Sequence, residues 1–163
     1  MTAPVRRAAV AGGSATDVHP VLRRATAPAA ALDLLAQARR GLDEAAVLEA
    51  PNERFATAHL AALRTAAAVL AVRGRPEPTR RRRQRIRSAW EVLPEIAPEL
   101  TEWSALFAAG APQRARAEAG IQGAVSLREA DDLVRATGMF LRLVERLLAL
   151  RPAPDPLRTD RPA

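Results

Sequence analysis

Residues 53–73, ERFATAHLAALRTAAAVLAVR, carry apolar side chains that return every three or four positions. Phe55, His59, Ala62, Ala66 and Val69 share one side and Leu63 and Leu70 widen it, which is the period of an α-helix and not of a strand. Much of that side is alanine, so a neighbouring helix can come close. The whole chain follows the same economy: 48% of its residues are hydrophobic, yet only two are Trp, three are Phe and none is Tyr. A core of small and aliphatic groups suits helix-on-helix packing better than a β-sandwich. The 163 residues suffice for one compact domain with a real core.

The remaining chain divides into further helical segments. Thr26 or Pro28 can open a first helix, along which Leu35, Ala38, Leu42 and Ala45 form an apolar stripe. Gly41 weakens that helix by about 1 kcal/mol without ending it. Pro51 disfavours a helical Ala50, and Asn52 is the expected cap of the second helix, which Gly74 and two prolines then stop. A third helix is expected to start within the arginine run and reach Leu93. Pro94 and Pro98 predict a kink or turn, followed by a helix to about Ala109 closed by Gly110, and a short polar helix ended by Gly120. Ser126 and Glu129 match a capping box for the last helix, whose core face is Leu133, Phe140, Val144, Leu147 and Leu148.

Residues 1–27 lack periodicity and residues 151–163 hold four prolines, so both are set down as disordered tails around a domain at 28–150. The fold class expected is all-α, an antiparallel bundle of four to five helices.

Several classes are excluded or disfavoured. The chain has no cysteine and only two histidines, His19 and His59, which removes disulfides and thiolate metal sites and disfavours zinc. Glu129, Asp131 and Asp132 lie where acids favour a helix dipole, and no ligands from other segments converge with them, so no metal and no cofactor is expected. There is no Gly-rich phosphate loop and no Ser-His-Asp signature. No apolar run of about 18 residues is present, so no membrane span is expected. The apolar stretch of the N-terminal 20 residues is broken by Gly12 and Gly13, which marks a tail rather than a signal peptide, and a cytoplasmic location follows by default.

All 25 basic residues are arginine, a bias that a GC-rich genome explains. Their placement is more telling than their number. Residues 74–87 hold seven Arg and one Glu, giving +6, whereas residues 88–150 hold six Arg and nine acids, giving −3. Charge segregated in this way can meet a polyanion locally, and guanidinium groups pair bidentately with phosphate. Arg80, Arg81, Arg82, Arg83, Arg85 and Arg87 are therefore the candidate nucleic-acid-binding residues. Trp90 and Trp103 stand beside Val92, Leu93, Leu106 and Phe107, which points to core or dimer-interface packing rather than base stacking.

The segment ERFATAHLAALRTAAAVLA, the segment RSAWEVLPEIAPELTEWSALFAAG and the segment READDLVRATGMFLRLVERLL together resemble a HEPN-domain protein of high-GC Gram-positive bacteria. The resemblance covers roughly residues 28–150. It implies a four- or five-helix bundle, commonly a homodimer, in a family whose active members are metal-independent ribonucleases. Those members use an arginine and a histidine separated by four to six residues near the start of a late helix; others bind RNA, nucleotides or protein partners without cleavage.

Arg54 and His59 match that spacing but fall at the start of the second helix, while the last helix, SLREADDLV, offers Arg128 and no histidine. Five residues along an α-helix turn by about 140°. His59 is then expected to flank the buried stripe as a half-buried histidine, with Arg54 turned to solvent. The leading expectation is a noncatalytic HEPN-like domain that binds RNA or nucleotide through its arginine-rich loop. The alternatives are a ribonuclease using Arg54 and His59, and an interaction bundle for a protein partner, an acidic one by charge.

Overall fold

A computed structural model describes residues 20–74 and 87–148. Along them lie α1 (Pro20–Val47), α2 (Pro51–Arg73), α3 (Ala89–Ile96), α4 (Thr101–Glu118) and α5 (Leu127–Leu148), with a 3-10 turn, Pro98–Leu100, ahead of α4. No strand occurs among the described residues, and the all-α bundle expected from the sequence is the fold found.

The ends of the helices follow local chemistry, in places differently from expectation. α1 begins at Pro20 and runs through Pro28, crossing the boundary drawn at residue 27. At α2, Ala50 is the N-cap and Pro51 occupies the first turn, so Asn52 is not the cap. Its amide donates instead to the Ile121 carbonyl at 2.9 Å, tying the start of α2 to the connection between α4 and α5. α3 opens with Ser88 Oγ accepting from the Glu91 amide at 3.3 Å. It closes at Ile96 because Pro98 drives Ala97 out of helical geometry, to φ −134° and ψ 79°.

Gly110 and Pro112 do not divide α4, contrary to the expected break. Phe107 before them and Ala117 after them are both buried, and Gly110 lies between against Phe55 and His59, so one continuous helix keeps both halves on the core. α4 stops at Gly120, whose φ of +73° suits glycine. The Ile121 amide bonds back to Arg116 O and the Gly120 amide to Ala117 O, a Schellman ending. α5 starts with the capping box: Ser126 Oγ accepts from the Glu129 amide at 3.2 Å, and Glu129 accepts from the Ser126 amide at 2.8 Å. Those bonds, with one from Gln113, hold the Glu129 carboxyl below the usual carboxylate range.

α2 is the central helix, packed on α1, α3, α4 and α5. Its alanines Ala58, Ala61, Ala62, Ala66 and Ala68 are all at zero exposure, and Ala61 lies against Gly41 of α1. Arg39 pairs with Glu145 while Leu42 touches Gly138, so α1 and α5 run antiparallel. Arg54 pairs with Asp131 and the Ala58 carbonyl accepts from Thr137, so α2 and α5 run parallel. Length and composition alone would let α2, at 23 residues, cross a membrane, whereas no membrane span is expected from the sequence. Its apolar character serves the bundle, with Phe55, Ala62, Ala66 and Val69 buried against neighbouring helices.

Candidate functional site

His59 stands on the buried face of α2 at 1% exposure, more deeply than the half-buried position expected. Its ring meets Trp90 edge-on at 5.9 Å and Phe107 edge-on at 6.2 Å, and stacks toward Phe55 at 6.4 Å. Nε2 lies 2.8 Å from the Phe107 carbonyl oxygen. A carbonyl only accepts, so Nε2 carries the proton and donates, leaving Nδ1 as the bare nitrogen of the neutral ring. Nδ1 is buried and has no hydrogen-bond partner among the described residues. Burial lowers the pKa of His59 below its ordinary value; the Phe107 bond opposes that shift, Arg114 reinforces it and Glu118 opposes it. The ring is a neutral member of the core.

The aromatic groups around it are continuous. Trp90 stacks on Phe107 at 5.1 Å, Phe107 meets Phe140 at 5.2 Å, and Trp103 stacks on Phe140 at 5.5 Å. Trp90 is buried and Trp103 is partly buried against the same cluster, so both tryptophans pack in the core. Ser104 Oγ donates to the Trp90 carbonyl and fixes α3 on α4.

Arg54 does not turn to solvent. Its side chain is 21% exposed; Nη2 lies 2.9 Å from Asp131 Oδ1, and Nη1 donates to the Leu48 carbonyl at 3.3 Å. The guanidinium thus joins the α1–α2 corner to the first turns of α5, while His59 faces α3 and α4. The two residues diverge. Cleavage of RNA needs a base at the ribose hydroxyl and a cation at the phosphate on one open surface, and these two side chains share none.

The remaining candidates are placed as follows. Arg80, Arg81, Arg82, Arg83 and Arg85 lie outside the described residues, as does His19. Arg87 immediately precedes the Ser88 cap of α3 and pairs with Glu95 and, at 3.9 Å, with Glu91. Its charge is thereby shared with the helix it introduces. Glu129 belongs to the capping box, Asp131 to Arg54 and Asp132 to Arg135. No group of three or more metal-ligating side chains comes together among the described residues. An open groove of about 300 Å³ between α1 and α5, lined by Leu32, Leu35, Ala36, Arg39 and Glu145, has only the Arg39–Glu145 pair as charged groups.

Two partners escaped the sequence reading. In the sequence Asp131 reads only as an acid near a helix N-terminus, because its pairing with Arg54 joins two helices distant in sequence. The Phe107 carbonyl left no signal at all, since any residue at that position supplies one.

A sequence model of the family described as HEPN_SAV_6107-like HEPN matches residues 45–145. No curated protein and no solved structure gives a significant match. The matched stretch begins near the end of α1 and closes within α5, so it spans His59, its aromatic surround and the Arg54–Asp131 pair.

Proposed function

This chain belongs to the HEPN_SAV_6107-like HEPN family, and from that premise we propose that it is a noncatalytic RNA- or nucleotide-binding domain. The binding residues are those of the arginine-rich connection between α2 and α3: Arg80, Arg81, Arg82, Arg83 and Arg85, with Arg87 at its end. The observation that carries the noncatalytic half is the placement of His59, buried with Nε2 bonded to Phe107 O and turned from Arg54. The binding half is supported by charge: residues 74–87 carry seven Arg against one Glu, while residues 88–150 are net acidic. A stability-driven sequence has little reason to gather like charges ahead of a helix N-terminus, where the dipole disfavours cations.

Binding through phosphate contacts has a measurable signature. The affinity for a mixed RNA falls with salt, with a log–log slope near −0.7 for each phosphate neutralised on a single strand. Replacing Arg80 to Arg83 with glutamine lowers the affinity and flattens that slope. An affinity indifferent to salt, or to those substitutions, rejects the loop as the binding element. By the same family resemblance we propose a homodimer as the working form, which the mass in solution tests.

A further inference from the structure

We infer that the solvent face of α5 is a second phosphate-contacting surface for nucleic acid, formed by Arg128, Arg135, Arg142 and Arg146. The inference rests on the nucleic-acid function proposed above but uses different residues from the loop. All four are exposed. They fall at intervals of seven, seven and four residues, which places them in one line along the helix. At 1.5 Å per residue the line is about 27 Å long, enough to lie along several consecutive phosphates of one strand. Met139, 54% exposed, is the apolar residue within the line, and Asp132 is its one acid.

The acids of α5 do not neutralise this line as a count of charges would suggest. Glu129 is held by Ser126, Asp131 by Arg54 on α2, and Glu145 by Arg39 on α1. Only Asp132 turns to the line, where it pairs with Arg135. Arg128, Arg142 and Arg146 form no ion pair among the described residues. The net-neutral helix is thus sorted: three of its four acids are engaged in its cap or with other helices, and its four arginines face water.

Stability does not account for that sorting. Arg128 stands in the first turn of α5, against the helix dipole. Arg142 and Arg146 are four residues apart, where like charges repel. Arg146 alone has a local reason, being a cation in the last turn. A row of guanidinium groups carried on one helix, each able to fork onto two oxygens when free, is complementary to a repeating phosphate backbone.

The test uses the full chain and a labelled single-stranded RNA of mixed sequence, titrated over a salt series. Arg128→Gln/Arg142→Gln is compared with Arg40→Gln/Arg116→Gln, which removes the same charge from exposed, unpaired positions on α1 and α4. A third variant replaces Arg80 to Arg83 with glutamine. The α5 pair is expected to weaken binding at least tenfold at low salt and to reduce the salt slope by about 1.4, at about 0.7 per phosphate contact. The Arg40/Arg116 pair is expected to change affinity less than threefold. Equal effects of the two pairs indicate a diffuse response to net charge and overturn the inference. Loss of binding in the loop variant, with the α5 pair unchanged, overturns it as well while leaving the proposed function standing. Loss in the α5 pair with the loop variant unchanged supports it and rejects the loop. Absence of RNA binding by the unaltered chain rejects both.

Discussion

The Nε2 of His59 on α2 and the carbonyl oxygen of Phe107 on α4 are joined across the core at 2.8 Å, with Gly110 packed over the ring. That bond makes the histidine part of the α2–α4 contact. Burial of the same ring adds a response to acid. Burial lowers the His59 pKa, so the folded ring stays neutral while the unfolded ring takes up a proton near its ordinary 6.5. Stability is therefore full above that pH and declines as the pH falls from 6.5 toward the lowered folded value, by up to about 1.4 kcal/mol per pH unit. Urea unfolding between pH 7.5 and 5 measures the slope. His59→Leu, close in size and without a titrating group, is expected to flatten it; an unchanged slope assigns the acid response elsewhere.

Arg54 and Asp131 are partly exposed, at 21% and 35%, and their pair is a modest clasp rather than a major source of stability. A double-mutant cycle with Arg54→Ala and Asp131→Ala is expected to give a coupling of about 0.5–1 kcal/mol. The coupling shrinks in 1 M salt as screening shortens its reach. Zero coupling at low salt contradicts the clasp.

Glycines in this bundle differ in what they require. A Cβ on Gly41 meets Ala61 at 3.5 Å and one on Gly138 meets Leu42 at 3.5 Å, both ordinary contacts inside helices. Gly41→Ala and Gly138→Ala are each expected to stabilise the protein by about 0.5–1 kcal/mol through helix propensity. Gly120, at φ +73° in the Schellman ending, has open space around it but a backbone that alanine disfavours. Gly120→Ala is expected to cost about 1 kcal/mol. Thermal melts of the three variants report the signs, and a loss at Gly138 would show the α1–α5 contact to be tighter than its geometry.

Ser126 caps the last helix through bonds to Glu129 in both directions. Ser126→Ala is expected to cost about 1 kcal/mol. Separately, the Glu129 carboxylate accepts from the Ser126 amide, a contribution present above the usual carboxylate range and lost as the pH falls through the lowered folded value. Thermal melts at pH 7 measure the cap, and a Ser126→Ala variant as stable as the unaltered chain would contradict it.

What was legible in the sequence was what repeats or acts locally. The apolar stripe of α2 marked Phe55, His59, Ala62, Ala66 and Val69, and all five are buried. The Ser126–Glu129 box marked the start of α5 to the residue. Local rules failed where tertiary contact competed with them. Asn52 resembled a cap but is drawn to Ile121 of another segment. Gly110 and Pro112 resembled a break, yet burial of residues on both sides holds α4 continuous. At the candidate site, the sequence placed His59 beside the core but not the carbonyl it bonds. It turned Arg54 to water because its partner, Asp131, comes from a distant helix.

The noncatalytic domain proposed above uses Arg54 and His59 to hold the bundle together and not to cleave RNA. The most direct test is a denaturing gel of uniformly labelled RNA after prolonged incubation with the purified chain and with His59→Gln at low salt. Full-length RNA in both lanes is the predicted result. Discrete fragments with the unaltered chain, absent with a His59→Gln variant that still unfolds cooperatively, would contradict the claim and restore the pair to a catalytic role.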